Sequence, residues 1–150
     1  MTSYLIKDVS ILGGAPTDLL LDGGLITAIA DASTRAGPVE TVDATGLIAL
    51  PGLVDLHAHL REPGREDAET VETGTQAAAK GGFTAVHAMA NTEPVADTAG
   101  VVEQVWRLGR EAGYCDVYPV GAVTVGLAGE RLAEPDHGGT DEGAAGVAPG

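Results

Sequence analysis

Short apolar runs separated by polar and glycine-rich turns make up the first fifty residues. The strand candidates are residues 4–12, 18–21, 25–29, 39–42 and 47–50. The second and third of these runs flank Asp22-Gly23-Gly24, and such a turn sequence between apolar runs is typical of a β-hairpin. Because no helical period of useful length is present, residues 1–50 are predicted to form a small all-β unit.

The pattern of apolar positions changes after Pro51-Gly52. Runs typical of strands now alternate with segments that have helical spacing. In chain order these are a strand over 54–60, a helix over 66–80, a strand over 83–90, a helix over 98–112 and a strand over 117–125. This alternation predicts parallel strands joined by crossover helices. From residue 134 the chain has no period and few large apolar residues, so we expect an irregular tail.

Length and charge narrow the range of functions. The chain has 150 residues, whereas a complete barrel of eight β/α units needs roughly 250. Its net charge is −14, from 22 acidic and 8 basic residues, so we expect neither a nucleic-acid partner nor a membrane partner. The single cysteine, Cys115, cannot form an internal disulfide, and the amino terminus lacks the pattern of a signal peptide; both features predict a cytoplasmic protein.

Candidate chemistry is concentrated in the strand predicted after Pro51. Alternation places Asp55, His57, His59 and Arg61 on one face of that strand, and Val54, Leu56, Ala58 and Leu60 on the other. Two histidines separated by one residue can reach a common point, which suits zinc. A half-exposed strand with incidental histidines is the alternative, since so short a motif often occurs by chance. The position before a βα loop favours the metal site, because β/α barrels carry their active sites at that end of the strands.

The segment from Pro51 to Gly64 resembles the first-strand signature of the amidohydrolase superfamily in its dihydroorotase form. A second match, from Gly81 through Asn91 to Pro94, follows at the separation usual in that family. The resemblance covers residues 1–133. It implies an α/β fold in which part of a small β-sandwich, residues 1–50, precedes an incomplete TIM-type barrel of about three β/α units, residues 51–133. The tail, residues 134–150, does not match.

By this resemblance, His57 and His59 bind one metal of a binuclear zinc site, and Arg61 and Asn91 hold a substrate carboxylate. A guanidinium fits a planar carboxylate with two hydrogen bonds, which is consistent with the role of Arg61. The implied activity is the reversible hydrolysis of dihydroorotate to N-carbamoyl-aspartate in pyrimidine biosynthesis. Full-length relatives imply a homo-oligomer or a complex with aspartate carbamoyltransferase. The alternatives are another cyclic amidase, such as an allantoinase or hydantoinase, and a non-catalytic dihydroorotase-like partner of aspartate carbamoyltransferase.

The family's bridging carboxylate, further histidines and catalytic aspartate come from later strands, and nothing after Glu134 matches them. We therefore assign no catalytic residue and expect this chain alone to be inactive. We expect either a fragment or a frame-shifted product, and the abrupt loss of resemblance near Pro135 favours the second. Asp55 is expected to orient a neighbouring residue. His87 is expected to be a core or surface histidine whose ring nitrogens have hydrogen-bond partners. An incomplete barrel should also leave an exposed apolar face.

Overall fold

The computed structural model describes residues 2–30 and 38–133, which form two compact units divided between Pro51 and Gly52. The strands of the first unit are β1 (Tyr4–Ile11), β2 (Pro16–Asp22), β3 (Leu25–Ile29), β4 (Glu40–Asp43) and β5 (Ile48–Ala49). Their order is β3-β2-β1-β4, and β5 also pairs with β1. The pairings of β2 with β1 and β3 are antiparallel, whereas β4 and β5 run parallel to β1. The predicted strands and hairpin are confirmed.

The core of the first unit is small. Val9, Leu19 and Ala44 are buried, and partly buried Ile6, Ile11 and Ala49 pack against them. The β2–β3 turn contains two glycines with positive φ, 61° at Gly23 and 84° at Gly24. Glycine adopts this conformation without the steric cost that a side chain adds, which is why the turn can be read from the sequence.

The second unit alternates strands and helices, as predicted. Its elements are β6 (Leu53–Ala58), α1 (Val71–Lys80), β7 (Phe83–Ala88), α2 (Ala99–Ala112), β8 (Asp116–Pro119) and a 3-10 helix (Val125–Leu127). The strands form a parallel sheet in the order β6-β7-β8. Its core contains Leu60, Val71, Val86, Ala88, Val105 and Val117. In the part of the chain that the structure describes, no helix is both long and apolar enough to span a membrane.

Helix α1 begins at Val71, not at Glu66 as the acidic residues suggested. Thr70 and Thr73 form a reciprocal cap: each hydroxyl oxygen accepts the other residue's backbone N–H, at 3.1 and 3.0 Å. Glu62 Oε2 also accepts the N–H of Val71 at 2.7 Å. Because these bonds satisfy the free donors of a first turn that starts at Val71, the helix begins there.

The predicted strand over 117–125 is also wrong in its second half. Strand β8 ends at Pro119, whose nitrogen has no hydrogen to extend the ladder. Beyond it the chain folds back on itself: Val125 N–H donates to Arg131 O and Ala133 N–H to Val123 O, both at 2.9 Å. The expected irregular tail lies outside the described residues.

Helix α2 lies close against β8 because its contact residue is glycine. A Cβ on Gly109 would overlap the side chain of Val117. The helix ends at Gly113, whose φ of 69° is the left-handed conformation usual after a helix.

The side of the sheet opposite the helices exposes apolar side chains. Leu56 is 71% exposed, and Val54 and Tyr118 are exposed as well. This agrees with the open apolar face expected of a small number of β/α units.

Candidate metal centre

A β-bulge in β6 shapes the candidate site. Asp55 pairs with Val86 and Ala58 pairs with Ala88, so β6 carries one residue more than β7 over this stretch. Paired residues of a parallel ladder point to the same side of the sheet, and Val86 and Ala88 are buried in the core beneath the helices. Asp55 therefore lies on the helix side. The prediction that Asp55 shares a face with His57 is wrong, because His57 precedes Ala58, which pairs with buried Ala88.

The bulge also breaks the predicted apolar face. Leu60 is buried at 6% exposure, whereas Leu56 is 71% exposed. Simple alternation places these two residues together, but the extra residue in β6 reverses the alternation between them.

His57 and His59 bring their Nε2 atoms to 3.2 Å of each other. Their ring centroids are 5.0 Å apart, with planes at 68°. Two nitrogens that bind one tetrahedral zinc at about 2.0–2.1 Å are separated by about 3.3 Å. The pair thus has the separation expected of two ligands on one metal ion, although His59 lies just beyond the end of β6.

Asn91 contacts the ring of His59. The amide Oδ1 lies 2.7 Å from His59 Nδ1. Since an amide oxygen can only accept, His59 Nδ1 is the donor, and its Nε2 carries the lone pair. The ring is thereby presented in the form in which a metal can be bound through Nε2.

Asp55 supports His57 through the backbone. Its Oδ1 accepts the N–H of His57 at 2.9 Å. The expectation that Asp55 orients a neighbouring residue stays a prediction, and this backbone hydrogen bond from the helix side is consistent with it.

Arg61 is exposed and has a left-handed backbone, with φ at 62°. Its carbonyl oxygen accepts the N–H of Arg65 at 2.8 Å. Among the described residues its guanidinium makes no hydrogen bond or ion pair. The structure thus brings His57, His59 and Asn91 together. It leaves the Arg61 side chain without a polar partner among the described residues.

The loops that follow β6 and β7 are joined by a backbone hydrogen bond and a close contact. Glu93 N–H donates to Pro63 O at 3.0 Å. Gly64, with φ at 104°, lies so close that a Cβ on it would overlap Glu93. Its own N–H donates to Glu66 Oε1 at 2.8 Å. That hydrogen bond, with one from the backbone of Glu66 itself, lowers the pKa of the Glu66 carboxyl.

The loop after β8 joins the same edge of the sheet. Ala122 N–H donates to Ala96 O at 2.8 Å, and Gly126 N–H donates to Asp97 Oδ2 at 2.7 Å. Backbone contacts therefore link the three loops in the order in which they occur along the chain.

His87 lies on β7 opposite Tyr118, with ring centroids 5.3 Å apart and planes at 29°. Its Nδ1 is buried and has no hydrogen-bond partner among the described residues. Among the described residues, the prediction that the ring nitrogens of His87 have hydrogen-bond partners is therefore wrong for Nδ1. The β-strand pattern gave no sign of it, because the pattern predicts a side of the sheet and not a partner.

Within residues 2–30 and 38–133, no group of three or more His, Cys, Asp and Glu side chains is arranged to hold a metal ion. The described part of the chain thus supplies two converging imidazoles.

Comparison with solved structures shows the fold. The L-hydantoinase (dihydropyrimidinase) from Arthrobacter aurescens superimposes with a TM-score of 0.70 at 23% sequence identity, over 83% of this chain and 28% of that one. The described part of the chain therefore has the mixed α/β fold of the matching part of that structure.

The sequence identifies the family more narrowly. The dihydro-orotase-like family model matches residues 46–145, and the chain belongs to that family. It is 63% identical to the dihydroorotase of Streptomyces coelicolor over 147 residues, 98% of this chain and 34% of the relative. It is 64% identical to the dihydroorotase of Leifsonia xyli over 132 residues, 88% of this chain and 30% of the relative. The chain spans about a third of the length of these curated relatives.

The family match continues to residue 145. It therefore runs past Pro135, so the prediction that the resemblance ends there is wrong. The expected frame shift depended on that end and loses its support.

Proposed function

We propose that this chain supplies the metal-binding strand and first β/α units of a zinc-dependent dihydroorotase, which hydrolyses dihydroorotate reversibly to N-carbamoyl-aspartate. The observation that carries the proposal is the 3.2 Å approach of His57 Nε2 and His59 Nε2, in a chain 63% identical to a dihydroorotase. In this proposal β6, β7 and β8 are the first strands of a TIM-type barrel. The loops that follow β6, β7 and β8 then form part of the active-site edge, which lies at the carboxyl ends of the barrel strands.

His57 and His59 would hold one of two zinc ions. When bound, zinc acts as a Lewis acid and makes a nucleophile available at neutral pH. The chain's own part is to hold both imidazoles: Asp55 fixes the backbone of His57, and Asn91 fixes the ring of His59.

Arg61 would bind the substrate carboxylate. Its guanidinium is exposed and has no partner among the described residues, so it can form two parallel hydrogen bonds to a planar anion. Asn91 would assist through its amide nitrogen, since its oxygen is engaged by His59.

Another cyclic amidase is the second candidate. The likeness to a hydantoinase, at 23% identity, concerns the fold, whereas the sequence is 63–64% identical to dihydroorotases. A non-catalytic partner of aspartate carbamoyltransferase is less well supported, because such a protein has no need of the paired histidines. We also propose that the full-length protein forms a homo-oligomer or a complex with aspartate carbamoyltransferase.

A chimera tests the assignment. Residues 1–133 would replace the matching segment of the Streptomyces coelicolor dihydroorotase. We expect dihydroorotate turnover and bound zinc, with both lost in His57→Gln. Arg61→Lys should raise KM for dihydroorotate about tenfold or more, because a single ammonium cannot form the paired hydrogen bonds, whereas Arg65→Lys should change it little. A chimera that binds zinc but opens only cyclic amides without a carboxylate would contradict the substrate assignment.

The 150-residue chain by itself should not turn over dihydroorotate, because its described residues supply two ligands and a catalytic zinc usually has three. The assay is the purified chain with added zinc, compared with zinc alone. Metal-dependent turnover above that background would show the prediction to be wrong.

A further inference from the structure

We propose that Asn91 is a positioning residue for His59, and that its amide oxygen sets the tautomer that leaves Nε2 free to bind metal. The metal-binding consequence rests on the proposed function, but the tautomer itself does not. The proposal thus adds a second role for Asn91, distinct from contact with a substrate carboxylate.

The geometry distinguishes the two ring nitrogens of His59. Asn91 Oδ1 lies 2.7 Å from Nδ1, and His57 Nε2 lies 3.2 Å from Nε2. A neutral imidazole carries one proton, and in water it resides mainly on Nε2. An acceptor held at Nδ1 reverses that preference, because only the Nδ1–H form can donate to it.

The tautomer of His57 then follows from that of His59. In the metal-free chain, His59 presents a lone pair at Nε2. A hydrogen bond between the two Nε2 atoms therefore requires His57 to carry its proton on Nε2. His57 and His59 are thus predicted to have opposite tautomers, with His59 already in the form that binds metal through Nε2.

The backbone around Asn91 is fixed on both sides. Ala96 N–H donates to Ala90 O at 3.0 Å, Thr92 Oγ1 donates to Pro94 O at 2.7 Å, and Glu93 N–H donates to Pro63 O at 3.0 Å. Asn91 itself is exposed, so its side chain is not needed for core packing. A side chain presented from a fixed backbone can hold the ring in one orientation.

Substitutions can separate the two functions of the amide. Asn91→Asp keeps an oxygen acceptor for His59 but loses the N–H donors and adds repulsion toward a carboxylate. Asn91→Ala removes both functions. Gln76→Ala removes an exposed amide from α1 and is the matched control.

Long-range ¹H–¹⁵N NMR of the metal-free chain, at a pH where histidines are neutral, measures the tautomers directly. We expect Nδ1–H at His59 and Nε2–H at His57 in the native chain, in Asn91→Asp and in Gln76→Ala. In Asn91→Ala, His59 should shift mainly to Nε2–H. A native His59 in the Nε2–H form, or one unchanged in Asn91→Ala, would overturn the proposal.

Titration with zinc alone provides the second readout, in the chimera that contains residues 1–133. Asn91→Ala should weaken zinc binding about tenfold or more, the usual effect of losing a residue that orients a metal ligand. Asn91→Asp should bind zinc within a few-fold of the native protein while its KM for dihydroorotate rises. Equal zinc affinity in Asn91→Ala and the native protein would overturn the positioning role. An error in the substrate assignment would instead appear in the turnover assay and leave the tautomers unchanged.

Discussion

Asp55 accepts the backbone N–H of His57 at 2.9 Å, at the point where β6 carries one residue more than β7. A bulge removes a donor from the ladder between strands, and here a carboxylate takes the place of the missing carbonyl. Asp55 therefore holds the backbone from which His57 projects, although the polar pattern of the sequence groups it with the histidines.

Asp55→Ala should lower the free energy of unfolding by about 0.5–1.5 kcal/mol, because the His57 N–H loses its partner within the protein. Asp55→Asn keeps an acceptor oxygen and should retain most of the stability. Urea unfolding measures the difference, and hydrogen exchange at the His57 amide should be faster in Asp55→Ala only. Equal exchange in the two variants would show that the hydrogen bond does not protect this amide.

Gly64→Ala should weaken the contact between the loops after β6 and β7. The new Cβ would meet Glu93, and the φ of 104° is strained for alanine. Gly82→Ala is the matched control, since Gly82 has a φ of 87° and open space around it. We expect about 1 kcal/mol of strain for Gly82→Ala and a clearly larger loss for Gly64→Ala. Equal losses by urea unfolding would mean that the overlap adds nothing to the backbone strain.

The carboxyl of Glu66 should titrate below the ordinary range for glutamate. The hydrogen bond from Gly64 N–H is the main cause of its lowered pKa, followed by one from its own backbone N–H. A lowered pKa in the folded state means that the stabilisation is present above the unfolded pKa and is lost as the pH falls through the folded pKa. Carbon NMR of the side chain measures the midpoint, and Glu72→Gln should leave it unchanged. A midpoint at or above the ordinary value would contradict the hydrogen bond to Gly64.

His87→Phe should stabilise the chain by about 1 kcal/mol. The substitution removes a buried Nδ1 that has no partner in the described structure and keeps a ring to stack on Tyr118. Thermal or urea unfolding provides the measurement. Tyr118→Phe keeps the stack and should change stability less. A loss of stability in His87→Phe would indicate that Nδ1 has a partner in solution.

The sequence predicts the elements best where local chemistry decides them. Asp22-Gly23-Gly24 identifies the β2–β3 hairpin, and Gly113 identifies the end of α2. The start of α1 is missed because Thr73 completes the cap in place of the usual glutamate or glutamine. The capping oxygen of Glu62 comes from the preceding loop, which no helical period can reveal.

The candidate site is predictable in its residues but not in its contacts. The spacing of His57 and His59 predicts a shared ligand only together with their position before a βα loop. The bulge between Asp55 and Ala58 cannot be read from alternation, since alternation assumes that no residue is inserted. The pairing of His59 with Asn91 joins residues on different loops, so it depends on the parallel register of β6 and β7.

The joining of neighbouring loops has a consequence for the order of assembly during synthesis. Each parallel pairing in the second unit joins strands that are consecutive along the chain, and each loop contact links one loop to the next. Contacts between consecutive segments cost less loop entropy than contacts between distant ones. A growing polypeptide can therefore bring the imidazoles of His57 and His59 together once β7 and its loop have left the ribosome. In the proposed function, this pair would be a half-site already formed before later parts of a barrel are made.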